Sequence, residues 1–208
     1  WQDEFEGGAL DLNQWEYEES TRPAGADWPA HIVSRDQVRL DGKGHRIISY
    51  DVRDNAKRTG KIATRAYFPH GYFEARIKFS NQPGWWAAFW LYTQPGGPFS
   101  NFNTMEIDGF EDYTRKVNPS DLIVDHVIHT GWPNIAYRKS WSRSVRVGSW
   151  DEFHTLGIKY LPTGITYYMD GVEFARYDAS RYVFADHLLK VYLSGQLGSC
   201  LLYTSDAA

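Results

Sequence analysis

The sequence predicts one all-β domain, an antiparallel sandwich or barrel. Three observations predict it. Apolar and polar residues alternate over short runs, Gly- and Pro-containing turns separate the runs, and no segment sustains a 3.6-residue apolar period or a repeat at fixed spacing. Strands without helical crossovers pair antiparallel and must bury one face against another sheet. The chain of 208 residues suffices for one large domain, and no linker-like stretch divides it.

The elements follow in order. DQVRLDGKGHRIISYDV, residues 36–52, holds two β-rich runs around Asp41-Gly42-Lys43-Gly44, a hairpin signal. GYFEARIKFS, residues 71–80, sets Tyr72, Glu74, Arg76 and Lys78 on one face and Phe73, Ala75, Ile77 and Phe79 on the other. WWAAFWLY, residues 85–92, is a nearly continuous apolar run between Pro83-Gly84 and Pro95-Gly96-Gly97-Pro98. LIVDHVIHTGW, FHTLGIKYL, GITYYMDGVEFARY and HLLKVYLSG continue the pattern, with Asp170-Gly171 as a second tight-turn signal.

Composition limits the function classes. A formal net charge of -4 gives no reason to expect nucleic acid or an anionic membrane as partner. No apolar run approaches the roughly 20 residues that cross a bilayer. Nine Trp and fourteen Tyr exceed what a plain core needs, and such rings also line sugar-binding clefts. The single cysteine, Cys200, excludes an internal disulfide framework and a Cys-based zinc site. The chain opens on Trp1 without an initiator Met, so the absence of a signal peptide says nothing about secretion.

MEIDGFEDY, residues 105–113, crowds four carboxylates into nine positions of a strand. Glu106 and Asp108 share a face, whereas Glu111 lies an odd number of steps away. One extra residue bulged out at Gly109-Phe110 would restore the parity and bring Glu111 round beside them. Glu106 and Glu111 would then be four effective steps apart, about 13 Å along the backbone. Leaning together, their carboxyls approach the roughly 5–5.5 Å of a retaining glycosidase. A solvated outer face explains Asp112 well enough, but like charges adjacent on one face destabilise a sheet. Acids gathered at that cost bind a metal or share protons. Calcium would want more oxygen ligands from a turn.

EIDGFE fits the E-x-D-x-x-E signature of glycoside hydrolase family 16 in its bulged form. Three further stretches resemble that family in the same order. They are DEFEGGALDLNQWEYE (residues 3–18), GYFEARIKFSNQPGWWAAFWLY (residues 71–92) and FHTLGIKYLPTGITYYMDG (residues 153–171), with Ala87 where Pro is usual and Tyr160 where Trp is usual. The resemblance runs from residue 1 to about residue 198.

The resemblance implies a two-sheet jelly-roll sandwich, concanavalin A-like, whose concave sheet forms a cleft for a polysaccharide. It implies an endo-acting hydrolase that retains configuration. Glu106 would be the nucleophile, Glu111 the acid and then the base, and Asp108 a hydrogen-bonding partner of the nucleophile. Trp86 and Trp90 are the candidate stacking platforms, and Trp86, Ala88 and Trp90 share a face. His129 matches a sugar-contacting His of the family, with Trp132 just after it and His126 as a competing candidate on the opposite face. Glu74 and Arg76 are expected to hold the sheet together. The expected substrate is a β-1,3-glucan of the laminarin type. The alternatives are a red-algal galactan (agar, carrageenan or porphyran), a transglycosylase, and a non-catalytic carbohydrate-binding jelly roll. No cofactor is required, no metal is catalytic, and a structural calcium on the convex side is left open. The expected protein is a secreted or periplasmic monomer.

Two departures from the family stand out. The family's closing V-D-Y-V-R-V-Y strand is absent, and the tail CLLYTSDAA, residues 200–208, resembles the translation of a sequencing-library adapter. The expectation is a catalytic domain over residues 1–199, incomplete at both ends. The insert TQPGGPFSNFNT, residues 93–104, departs from the short loops of familiar β-1,3-glucanases.

Overall fold

The computed structural model describes residues 1–25, 28–80, 84–93, 104–113, 122–132, 139–148, 152–179 and 188–198. The adapter-like tail and most of the 93–104 insert lie outside the described residues. The first strands are β1 (Trp15–Tyr17), β2 (Ser20–Arg22), β3 (His31–Val33), β4 (Val38–Leu40), β5 (Arg46–Ile48), β6 (Tyr50–Arg53), β7 (Ala56–Thr59) and β8 (Lys61–Thr64). The middle of the chain gives β9 (Gly71–Ile77), β10 (Trp85–Tyr92), β11 (Thr104–Tyr113), β12 (Leu122–Trp132) and β13 (Lys139–Gly148). The last are β14 (His154–Leu161), β15 (Gly164–Met169), β16 (Val172–Asp178) and β17 (Lys190–Leu197). A single 3-10 turn, Arg35–Gln37, is the helical element among the described residues.

The architecture is the expected jelly-roll sandwich. A seven-stranded sheet in the order β1-β8-β17-β10-β11-β12-β13 packs on a four-stranded sheet in the order β16-β15-β14-β9. Between them lie Phe89, Leu91, Met105, Ile107, Phe110 and Ile128 from the first sheet and Leu156, Ile158, Tyr160, Ile165 and Tyr167 from the second, all at most 1% exposed. A smaller sheet, β2-β3-β7-β6, stands at the β1–β8 side. There Leu10, Trp15, Val38 and Ile62 form a second apolar cluster, and the Trp15 indole donates to Asp3 at 2.7 Å.

Local chemistry accounts for the turns. β4 and β5 pair as the expected hairpin, with the Asp41 carboxylate accepting from the Lys43 and His45 amides. Asp170 and Gly171 both have positive φ, 49° and 78°, the signature of a type I′ hairpin turn. Asp54 and Asn55, at φ 51° and 59°, make a similar turn between β6 and β7. In β9 the alternation holds: Tyr72, Glu74 and Arg76 face solvent, and Phe73, Ala75 and Ile77 pack on the core. Glu74 accepts from the Tyr72 hydroxyl at 2.6 Å and Arg76 covers the Phe153 ring at 4.2 Å, so this pair belongs to the outer sheet and not the cleft.

Candidate active site

The seven-stranded sheet turns one face to the core and the other to the cleft, and β11 sits well inside it, between β10 and β12. Its register against β10 places Tyr92 opposite Glu106, Trp90 opposite Asp108, Phe89 opposite Phe110 and Ala88 opposite Glu111. Gly109 has no partner in that ladder, and the register against β12 also slips between Asp108 and Glu111. This is the predicted bulge. It turns Glu106, Asp108 and Glu111 to one face while Met105, Ile107 and Phe110 stay in the core. Gly109 suits the position because a Cβ there would meet Ile158 Cδ1 at 2.4 Å and the Phe89 carbonyl oxygen at 2.9 Å.

The three carboxylates line a cavity of about 150 Å³ together with Arg22, Trp86, Ala88, Trp90 and Gln196. Asp108 and Glu111 are only 3% and 6% exposed. The Trp86 indole donates to Glu111 Oε1 at 2.9 Å, which fixes that carboxyl against the ring. Trp90 donates to Ser194 Oγ at 3.1 Å and stacks on Tyr192, with ring centroids 4.4 Å apart. His129 is paired across the ladder with Glu106, and its Nε2 lies 3.4 Å from Asp108 Oδ2. Burial pushes the Asp108 carboxyl well above the usual carboxylate range, and the charges of Glu106 and Glu111 and a hydrogen bond with Glu106 push it further. Asp108 therefore keeps its proton to higher pH than an ordinary aspartate does.

The expected site residues come together, with two qualifications of place. His126 lies on the core face, fully buried, with Nε2 2.9 Å from the Tyr177 hydroxyl, which leaves His129 as the cleft histidine of β12. Trp132 ends β12 opposite Thr104, and its side chain lies outside the described residues. Sequence reasoning missed Arg22 and Gln196. Gln196 was within reach of the strand period, since Lys190, Tyr192, Ser194 and Gln196 alternate along β17 opposite Tyr92, Trp90, Ala88 and Trp86. Arg22 sits in a three-residue edge strand and reaches the cleft through Trp28 and Trp86, which no local pattern announces.

Among the described residues, Glu106, Asp108 and His129 form the one group of such side chains close enough to share an ion, with ligand atoms within 4.8 Å of one another. Two carboxylates and an imidazole do not supply the six to eight oxygens that calcium takes. These cleft side chains therefore do not fit a calcium site.

The family model for glycosyl hydrolases family 16 matches residues 28–201. The chain belongs to that family. It is 25% identical over 177 residues to the endo-1,3-1,4-beta-glycanase ExsH of Rhizobium meliloti (strain 1021), a match covering 83% of this chain but 36% of that protein. The chain thus spans about a third of that relative's length. A family 16 protein from the mixed-linkage-glucan locus of Bacteroides ovatus, solved in complex with an oligosaccharide product, superimposes with a TM-score of 0.78 at 20% identity, covering 94% of this chain and 85% of that one. A laminarinase from Flavobacterium sp. UMI-01 gives a TM-score of 0.76 at 18% identity, covering 95% and 87%. At those identities the structural likeness speaks for the fold.

Proposed function

We propose that this family 16 domain is an endo-acting hydrolase that cuts a β-linked polysaccharide with retention of configuration. The observation that carries the reading is the bulge in β11, which gathers Glu106, Asp108 and Glu111 on one cleft face. Glu106 attacks the anomeric carbon as the glycosidic bond breaks, and Glu111 gives its proton to the departing oxygen. Glu111 then takes a proton from water, which attacks the same carbon and releases Glu106. Asp108 donates to Glu106 and leaves it when the ester forms. Trp86 and Trp90 present rings to the apolar faces of sugars, and His129 stands beside Glu106 where a hydroxyl near the cleavage point would sit.

The substrate reading is a β-1,3-glucan of the laminarin type, supported by the motif set and the His129 position. A polymer too large to enter a cell supports a secreted or periplasmic enzyme. A neutral cleft acid and a carboxylate nucleophile need no cofactor, and we read the protein as a monomer.

The test is product release from laminarin, lichenan, agarose and carrageenan by the wild type beside Glu106→Gln. Oligosaccharides from one polymer, lost in the variant, support the reading and name the substrate. Folded protein that binds a polymer which neither form cuts would replace it with a non-catalytic binding module. Glu111→Gln should lower kcat by roughly 10²–10⁴-fold on polysaccharide. The loss should be far smaller on an aryl glycoside whose leaving group needs no proton; an equal loss on both would remove Glu111 from the acid role.

A further inference from the structure

Beside the acid cavity lies a second cavity of about 260 Å³, whose lining includes Ser20, Thr21 and Lys61. Arg22, Trp90 and Gln196 line both cavities, and of these three only Gln196 carries a hydrogen-bond acceptor in its side chain. Its Oε1 is buried and has no hydrogen-bond partner among the described residues. The indole donors nearby are already engaged. Trp86, opposite Gln196 in the ladder, donates to Glu111, and Trp90 donates to Ser194 Oγ. A buried acceptor without a donor costs the fold stability, and folded proteins rarely keep one without a reason. We infer that Gln196 is a specificity-determining residue of the cleft, whose amide oxygen accepts from a free hydroxyl of the sugar ring that bridges the two cavities. The inference rests on the hydrolase reading above and adds that the polymer is uncapped at that hydroxyl.

The backbone under Gln196 is firmly held. β17 is paired on one side with β10 and on the other with β8. The Gly195 amide donates to the Gly60 carbonyl at 2.9 Å, and the Gly195 carbonyl accepts from the Thr59 hydroxyl. A Cβ at Gly195 would lie 2.2 Å from the Trp85 ring, so Trp85 occupies the face opposite the cleft and Ser194 and Gln196 turn towards it. The terminal torsion of a glutamine is soft, so Oε1 turns to the cavity with no movement of the strand. Gln196 stands two strands from β11, about 10 Å across the sheet, and so reaches the ring beside the one that Glu106 attacks. A hydroxyl on that ring donates to Oε1 and removes the cost of the orphaned acceptor. A methyl ether, an ester or an anhydro bridge has no proton to give, and leaves the acceptor orphaned.

The test has two parts, and the first needs no ligand. Gln196→Met keeps the length of the side chain and removes the orphaned acceptor, so its Tm without ligand should equal or exceed that of the wild type. A Tm lowered in both Gln196→Met and Gln196→Ala would mean that the amide is bonded within the fold, and would overturn the inference. The second part is calorimetric binding to Glu106→Gln protein, with and without Gln196→Met. The probes are hexasaccharides from whichever of laminarin, lichenan, agarose and carrageenan that protein binds most tightly, native and with one ring hydroxyl at a time methylated. With Gln196 present, methylation at one position should weaken binding roughly 10- to 100-fold. In the Gln196→Met background the native and that methylated hexasaccharide should bind alike. A methylation cost that is the same in both backgrounds at every position overturns the inference, as does the absence of any cost. Cleavage of polymer by the wild type with no such coupling would sink this inference alone. Coupling at one hydroxyl with no polymer cut would sink the hydrolase reading and leave Gln196 in its role.

Discussion

Asp108 is the residue whose environment departs furthest from what its type alone implies. Burial, and then the charges of Glu106 and Glu111 on either side, hold its carboxyl well above the usual range. A group whose native pKa is raised binds a proton in the native state that the unfolded chain has already released. Its contribution to stability is complete below the unfolded value of about 3.9 and is lost as pH rises through the raised one. Asp108→Asn removes that loss, because the amide never ionises. Thermal unfolding from about pH 4 upward should show the variant gaining on the wild type as pH rises. Activity should fall, since the amide cannot tune the charge on Glu106. Parallel Tm curves would mean that Asp108 titrates like an exposed aspartate.

At the scale of the element, the bulge in β11 decides whether the site exists. Gly109 packs so closely on β14 that an added methyl would lie 2.4 Å from Ile158 and 2.9 Å from the Phe89 carbonyl oxygen. The side chain can turn away; the carbonyl belongs to the paired strand β10 and cannot move alone. Gly109→Ala should therefore cost about 1–3 kcal/mol in urea unfolding. It should lower activity beyond what the stability loss explains, because a shift at Gly109 re-aims Asp108 and Glu111. A variant with unchanged activity would show that the bulge tolerates the displacement. Behind the bulge, His126 bonds Tyr177 within the core. Removing the imidazole leaves a buried hydroxyl without its partner, so His126→Leu should destabilise by roughly 1–3 kcal/mol. The parity argument made this bulge legible in advance, because three acids with work to do cannot serve it from opposite faces of a sheet.

At the scale of the whole molecule, the cleft is assembled from distant parts of the chain. Its floor pairs β10 with β17 and β17 with β8, and its wall comes from β2, so Arg22, Lys61, Trp90, Glu106 and Gln196 meet only once both sheets have formed. A ligand that binds this assembled cleft must stabilise the whole fold. An oligosaccharide of the true substrate, held at 100 times its Kd on Glu106→Gln protein, should add about 2.7 kcal/mol to unfolding. An oligosaccharide that is cut by the wild type but leaves the variant's unfolding curve unmoved would place binding elsewhere.

The sequence by itself determined the all-β class, the main hairpins and the three acids, because each follows from local rules. Side chains alternate with period two, turns demand particular residues, and like charges are not crowded on a strand without cause. The resemblance to family 16 singled out Trp86, Trp90 and His129, and the structure sets Trp86 and Trp90 in the cavity of the three acids and His129 beside Asp108. The tertiary structure alone decided that His126 belongs to the core, although both faces of β12 carry a histidine. It alone brought Arg22 and Lys61 to one cavity. Arg22 comes from a short edge strand and Lys61 from a different sheet, and their meeting depends on how the sheets stand against each other, which no period along the chain encodes.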